Sequence, residues 1–491
     1  MINRRQFVRT MTVAGAGVVW SCSDRGVQAA SRQRAAGRGS SVFRSSGSHL
    51  NAELQVAETN AFLSGRPARL FAFNGQVPGP IFEARPGDDV TIGLNNDLRE
   101  ETNLHFHGLH IPPTGAADNI FLHVNAGQSF TYQFTLPRNH PAGLFWIHPH
   151  LHGSVARQVS RGLAAPFVIR GEIDAIPEVA AAEEHILLLQ DFELDQRGSV
   201  TDPSMPELMH GREGSIVAVG GAINPVIPIR QDGLLRLRLI NASSSRFYRL
   251  HLEEHPLHLI GVDGGALGSV RTLDEILFVP GQRVDILIEG TRAEGSFRLL
   301  NLPYDRGTEM MGGGMMGGGM GGMMGGRSTP AAGDAQTLAT IEYRGRAERK
   351  WTVPERLGSA PVALPAGPLP SRTFQLGQGM MMGRGMSFTI NGHEFDANRI
   401  DAAPRLGTVE EWVYANTTSM DHPMHLHTNP FQIVGQDGVP EAAWRDIVLV
   451  KAGQKARFRV RFDDFAGKTV QHCHILDHED QGMMATVEMR S

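Results

Sequence analysis

Cysteine is nearly absent from this chain: its 491 residues hold two, Cys22 and Cys473. A disulfide framework is excluded, and cleavage after Cys22 would leave no intramolecular disulfide possible even in an oxidising compartment. No apolar run reaches the ~18–20 residues that a membrane-spanning helix requires. A basic excess is missing too. The formal net charge is −5, and without residues 1–45, which carry eight Arg and one Asp, it becomes −12. An acidic chain of this kind argues against nucleic acid as a partner and suits small cations. Long amphipathic helical patterns are scarce, whereas Gly (57) and Pro (28) are plentiful, so an all-β fold is expected.

What is present concentrates around Cys473, in the stretch Val470-Gln471-His472-Cys473-His474-Ile475-Leu476-Asp477-His478, with Met483 following. In an extended strand, neighbouring side chains point to opposite faces, so His472 and His474 face one way and Cys473 the other. One strand can therefore serve two metal sites, back to back. Cys473, His478 and Met483 supply a thiolate, an imidazole and a thioether. These are three members of the trigonal His2Cys set with a weak axial Met that suits copper in electron transfer. The second imidazole has to come from elsewhere in the chain.

Three further clusters stand in the sequence: His105-Phe106-His107-Gly108, His148-Pro149-His150 and His422-Pro423-Met424-His425-Leu426-His427. With the pair flanking Cys473 they make four His-x-His units, each able to present two imidazoles on one strand face. Core packing does not explain them, because buried imidazoles need partners. Eight histidines from these units would surround three metals, and His422 would complete the site of Cys473 and His478.

In this order and spacing the motifs resemble those of the multicopper oxidases, the laccase and cuprous oxidase family, over roughly residues 50–491. The resemblance implies four copper ions. Type 1 copper would be held by His422, Cys473, His478 and axial Met483, and type 2 by His105 and His425. The type 3 pair would take His107, His148 and His474 on one ion and His150, His427 and His472 on the other. Glu479 and Asp118 fall where the family carries acids that relay protons and polarise water. Substrate electrons would enter through an exposed edge of His422 or His478 and cross Cys473 to its neighbours His472 and His474.

Internal repeats point to three sandwich domains, and the resemblance implies cupredoxin-like Greek-key sandwiches. A glycine followed by an alternating run ending in asparagine occurs as Gly87 to Asn95, as Gly233 to Asn241 and, one residue longer, as Gly407 to Asn416. A second glycine precedes each site-bearing strand: Gly143 before His148, Gly467 before His472, and Gly295 before Leu300-Asn301-Leu302, where the ligands are lost. The expected domains are 46–172, 173–345 and 346–491, with the metal cluster shared by the first and third. His255-Pro256-Leu257-His258 imitates the third histidine motif, but the residues after it align with Gln432 onward, so it reads as coincidence. His110, His123, His140 and His152 are read as surface or supporting histidines.

Residues 1–45 read as signal and linker. Asn3-Arg4-Arg5-Gln6-Phe7-Val8, an apolar stretch from Met11 to Trp20, and Ala29-Ala30 form a twin-arginine signal, which implies the Tat export machinery and a bacterial periplasm. Trp20 argues against lipidation of Cys22. Residues 310–326 are Met and Gly alone, and a second run, Met380 to Met386, follows. Glycine at such density holds no regular element, and a flexible 17-residue chain spans roughly 20–25 Å. Thioether sulfur selects Cu(I). Met310, Met311, Met315, Met316, Met320, Met323 and Met324, with Met420 and Asp421 beside His422, are therefore the candidate substrate site. The expected function is a monomeric cuprous oxidase of copper tolerance, coupling Cu(I) oxidation to four-electron reduction of O2 to water. A laccase acting on phenols or aromatic amines is the alternative, and a copper-storage protein is the non-enzymatic one.

Overall fold

The structure is a computed structural model that describes residues 41–63, 65–307, 335–358, 361–381 and 385–491. The signal segment and the methionines of 310–326 lie outside the described residues, as do the side chains of 380–385. Six sheets form three successive pairs. The first pair holds strands from Val42–Arg44 to Ala165–Ile169, the second from Glu183–Phe192 to Gln336–Arg346, and the third from Ser371–Met381 to Met484–Met489. Helices are short; among the described residues none is long and apolar enough to cross a membrane.

The repeated glycine-to-asparagine run is the same strand in each sandwich. Asp89–Asn96, Leu234–Asn241 and Thr408–Asn416 each pair in parallel with the opening long strand of their sandwich and antiparallel with a later one. The structure corrects the repeat by one residue in its first copy: the equivalent of Asn241 and Asn416 is Asn96, not Asn95. Asn96 Nδ2 donates to Glu100 O (2.9 Å) and Val124 O (2.8 Å), and its Oδ1 accepts from Leu98 N (3.0 Å). Asn241 does the same with Arg246 O, Phe278 O and Ser243 N, and Asn416 with Met420 O, Val450 O and Thr418 N. One buried amide thus fastens the loop that leaves the strand in all three sandwiches. In the third, that loop is the one leading to His422.

The site-bearing strands also repeat. His105–His107 pairs with Gly143–His148, and His422–Leu426 with Gly467–Cys473. In the middle sandwich the corresponding pair is Tyr248–Leu252 with Ser296–Leu302, which carries no ligand set. His258 lies on Leu257–Val262, which pairs with Arg283–Glu289 just as Phe431–Ile433 pairs with Lys455–Phe462. His255-x-x-His258 therefore occupies the position after the ligand strand, and its likeness to His422-x-x-His425 is coincidental.

A charged seam joins the first and second sandwiches. Arg170 of the first sandwich reaches Glu83 (2.7 Å) in its own sandwich and Glu184 (2.7 Å) in the second, behind which Arg236 of the second holds Asp174 (2.7 Å) and Asp285 (2.6 Å). The apolar core of the third sandwich takes in Cys473, Met424 and Met483, so one metal site is cut directly into packed side chains. Replacing Asn241 with Ala leaves two carbonyls and one amide buried without partners. The expected loss is roughly 2–4 kcal/mol, seen as a lower unfolding temperature without any change in the metal-binding residues.

Candidate metal centre

Cys473 ends the strand Gly467–Cys473, and the helix Leu476–Asp480 follows at once, bringing His478 back over the sulfur. The helix is held from three sides. Asp480 accepts from Gly153 N (2.8 Å) and Ala156 N (2.9 Å) of the first sandwich. Arg212 of the second sandwich grips Asp477 (2.6 Å), and Gln481 Nε2 donates to Leu208 O (2.8 Å). Cys473 Sγ stands 3.5 Å from His422 Nδ1 and 3.9 Å from His478 Nδ1, and these nitrogens are 3.4 Å apart. Met483 is fully buried in the same core cluster, and its carbonyl accepts from Cys473 N (3.0 Å).

The outer hydrogen bonds decide which ring nitrogen is free. A carbonyl only accepts, so His478 Nε2, 3.0 Å from Met209 O, carries the hydrogen. Thr418 Oγ1 lies 2.8 Å from His422 Nε2 and has its own acceptors in Asn416 Oδ1 (2.8 Å) and Met420 O (3.1 Å), so that imidazole donates as well. Both Nδ1 lone pairs then face the cysteine. Such outer partners are the usual means of fixing ligand histidines.

Eight more histidines meet where the first and third sandwiches touch. His107, His148 and His474 form one group and His150, His427 and His472 a second, with donor atoms inside 4.8 Å in each. His105 and His425 face each other with Nε2 atoms 3.3 Å apart. His425 Nδ1 donates to Asp446 O (2.8 Å), and His105 Nδ1 lies 2.9 Å from Asp118 Oδ1. With both Nδ1 positions committed, the short Nε2 approach is not a hydrogen bond. Two nitrogens bound about 2.0 Å from one ion at tetrahedral to trigonal angles stand about 3.3–3.5 Å apart, which matches it. His472 Nε2 has one lone pair and two imidazoles close by, His150 at 3.1 Å and His427 at 3.0 Å, so hydrogen bonding satisfies one of them at most. His148 Nε2, His107 Nδ1 and both nitrogens of His474 are buried without a partner. These are the orphaned donors that metal ions would satisfy, and the residues present fit them.

Burial, together with neighbouring imidazoles, pushes His105, His107, His150, His425, His427, His474 and His478 well below the ordinary histidine range. Burial takes His148 and His422 down to about 3. The rings are therefore neutral ligands at any physiological pH. Burial also pushes the Cys473 thiol up, so a metal has to displace its proton on binding.

Asp118 is completely enclosed, and burial pushes its carboxyl up to about 8. It accepts from Phe106 N (2.8 Å) while holding His105. Glu479 is also fully buried, 3.0 Å from His472 Nδ1 and 3.4 Å from His150 Nε2, yet neither of its oxygens makes a directed hydrogen bond. Both acids thus touch the trinuclear histidines, each from a different side.

Several expectations are corrected. His422 and His478 present no exposed edge; both are fully buried. His478 lies beneath the helix Met205–His210, whose Met209 carbonyl it contacts. Ser204-x-x-Glu207, a capping box, is the sequence signal for that helix, with Glu207 accepting from Ser204 N at 2.7 Å. Nor do Met420 and Asp421 stand open to an incoming ion, being 2% and 6% exposed. Asp421 is occupied by Tyr304 Oη (2.6 Å) and Ala452 N (2.8 Å). Of the other histidines, His110 bonds Thr428 O (2.7 Å) and Asp464 (3.0 Å), His140 accepts from His110 N (3.0 Å), His123 pairs with Glu101, and His152 packs on Phe395.

Two substitutions test this geometry. Cys473→Ser should abolish the blue copper absorption and lower the metal content by one ion, measured by optical and elemental analysis, because a hydroxyl is no soft thiolate. Asp118→Ala frees the His105 ring, and metal affinity at the His105–His425 pair should fall about 10–100-fold in a chelator titration.

Profiles described as multicopper oxidase match residues 55–173, 192–311 and 366–491. A multicopper oxidase of Staphylococcus haemolyticus is 27% identical over 440 residues, covering 87% of this chain and 86% of its own. The structure superposes on a Campylobacter jejuni multicopper oxidase, described as a metallo-oxidase, with a TM-score of 0.77 and 27% identity, covering 92% of this chain and 96% of that one. A laccase-like multicopper oxidase of Ochrobactrum gives 0.76 and 27%, covering 92% and 99%. Each matched segment overlaps one of the three sheet pairs, and the ten histidines and one cysteine gathered above lie within them: the chain belongs to the multicopper oxidase family and is an oxidoreductase that carries four copper ions.

Proposed function

We propose that this enzyme is a periplasmic cuprous oxidase of copper tolerance, exported through its twin-arginine signal. In this reading His422, Cys473, His478 and Met483 hold type 1 copper, and His105 and His425 hold type 2. His107, His148 and His474 hold one type 3 ion, and His150, His427 and His472 the other. The coppers supply one-electron uptake at type 1 and four-electron delivery to dioxygen at the trinuclear cluster. The chain's own contribution is to keep both sites dry, to connect them through the peptide between Cys473 and its neighbours His472 and His474, and to offer protons. Glu479, beside His150 and His472, and Asp118, beside His105, are the groups placed to give them.

The substrate reading rests on the residues that precede the methionine-rich segment in the chain. Tyr304, Arg306 and Gly307 precede it, and they are fastened to the residues entering His422. Tyr304 Oη donates to Asp421, and Asp421 N donates to Arg306 O (2.9 Å). Gly307, at φ +91, packs so closely on Ser419 O that no side chain would fit. The sequence that follows this anchored stretch, residues 310–326, holds seven methionines, and soft sulfur brought to type 1 copper would concentrate Cu(I).

A second reading, a laccase, has support in the Ochrobactrum relative, whose reported oxidase activity is towards lignin model compounds and lignosulfonate. Oxygen uptake with Cu(I) and with a simple phenol, by the copper-loaded enzyme and by a form lacking residues 310–326, decides between them. Cu(I) turnover at low copper that drops at least tenfold on deletion supports the cuprous oxidase. Phenol oxidation that rises on deletion, with poor Cu(I) turnover in both forms, makes it a laccase. Full copper without oxygen uptake would indicate storage.

A further inference from the structure

Among its described residues the middle sandwich supplies none of the copper ligands named above, yet it places a buried cation against the trinuclear histidines. Arg283 opens the strand Arg283–Glu289 and is 1% exposed. Its Nη1 donates to Asp446 Oδ1 (2.6 Å) and its Nη2 to Asp446 Oδ2, a bidentate pair across the second and third sandwiches. Two more guanidinium hydrogens go to Leu144 O (3.0 Å) of the first sandwich and to Gly281 O (3.0 Å). One side chain thereby ties all three sandwiches.

Asp446 in turn serves two rings. Its Oδ1 lies 3.1 Å from His107 Nε2, and its carbonyl accepts from His425 Nδ1 (2.8 Å). The two rings stack with centroids 3.8 Å apart and planes at 11°. The carboxylate leaves His107 Nδ1 as the free nitrogen, and that atom is buried without a partner. Gly108 follows at φ +84, and a Cβ there would strike both Asp446 Oδ2 and the Arg283 guanidinium. The glycine after the first histidine pair is thus demanded by this clamp.

We propose that Arg283 is a positioning residue for the trinuclear cluster: by holding the Asp446 carboxylate it sets the ring orientation and the free nitrogen of His107, on which the His425 ring stacks. A planar fork is needed because two parallel bonds fix the carboxylate's rotation, which a lysine point charge does not. The influence is local. The charge of Arg283 bears on His107, His425 and His474, whereas His422 and His478 are affected by Arg306.

The test uses the full-length enzyme reconstituted with copper and four readouts: copper per chain, the blue absorption of type 1, the electron-paramagnetic signal of type 2, and the unfolding temperature. Arg283→Lys should keep the blue absorption, lose trinuclear copper at least tenfold faster to a chelator, and lower kcat with KM for the reducing substrate unchanged. Arg283→Met leaves Asp446 buried and unpaired, so the fold weakens; the double variant Arg283→Met with Asp446→Leu removes that charge and should recover unfolding temperature. The proposal expects the double variant to stay deficient in trinuclear copper despite regained stability. Recovery of all four coppers with stability, or an Arg283→Lys enzyme with unaltered type 2 signal, copper retention and kcat, would overturn it. So would parallel loss of type 1 and trinuclear copper.

Discussion

Everything in this protein depends on holding neutral imidazoles lone pair to lone pair in a dry interior. Ten rings and one thiol lose their water, and two pairs, His105 with His425 and His422 with His478, face each other at 3.3 and 3.4 Å with their hydrogens directed elsewhere. Without a cation between them such an arrangement is unfavourable twice over, through desolvation and through opposed lone pairs. The fold sustains it by committing the outer nitrogen of most rings to an acceptor. Met209 O, Pro149 O, Asp446 O and Cys473 O each accept one. Copper then meets pre-oriented ligands instead of having to order them.

That requirement explains the architecture. A strand alternates its faces, so the segment ending at Cys473 can show histidines to the trinuclear cluster and sulfur to the other site. Two strand pairs in separate sandwiches then have to meet, which requires a third body to brace them. The middle sandwich performs that task with charge: its Glu184 takes Arg170 of the first sandwich, while its Arg212 and Arg283 reach into the third.

Much of the fold and the centre was legible in the residues. The four His-x-His units and Cys473 need only local spacing to be recognised, and the structure brings His107, His148 and His474, His150, His427 and His472, and His422, Cys473 and His478 together as three groups. Asn95 and Asn96 are both asparagines at the end of one alternating run, and the hydrogen bonds to Glu100, Val124 and Leu98 tell them apart. The burial of His422, the helix Met205–His210 over His478, and the roles of Asp421 and Asp446 were not legible. Each depends on a contact between residues far apart in sequence, made by side chains too common to signal anything by themselves.

By itself, then, the sequence determined the class of fold, the metal and the chemistry, because ligand type and strand periodicity are local properties. The tertiary structure alone decided which nitrogen of each ring is free, which acids touch the cluster, and that Arg283 from a ligand-free sandwich reaches its edge. Those are matters of orientation and of approach across three bodies, and no spacing along the chain encodes them.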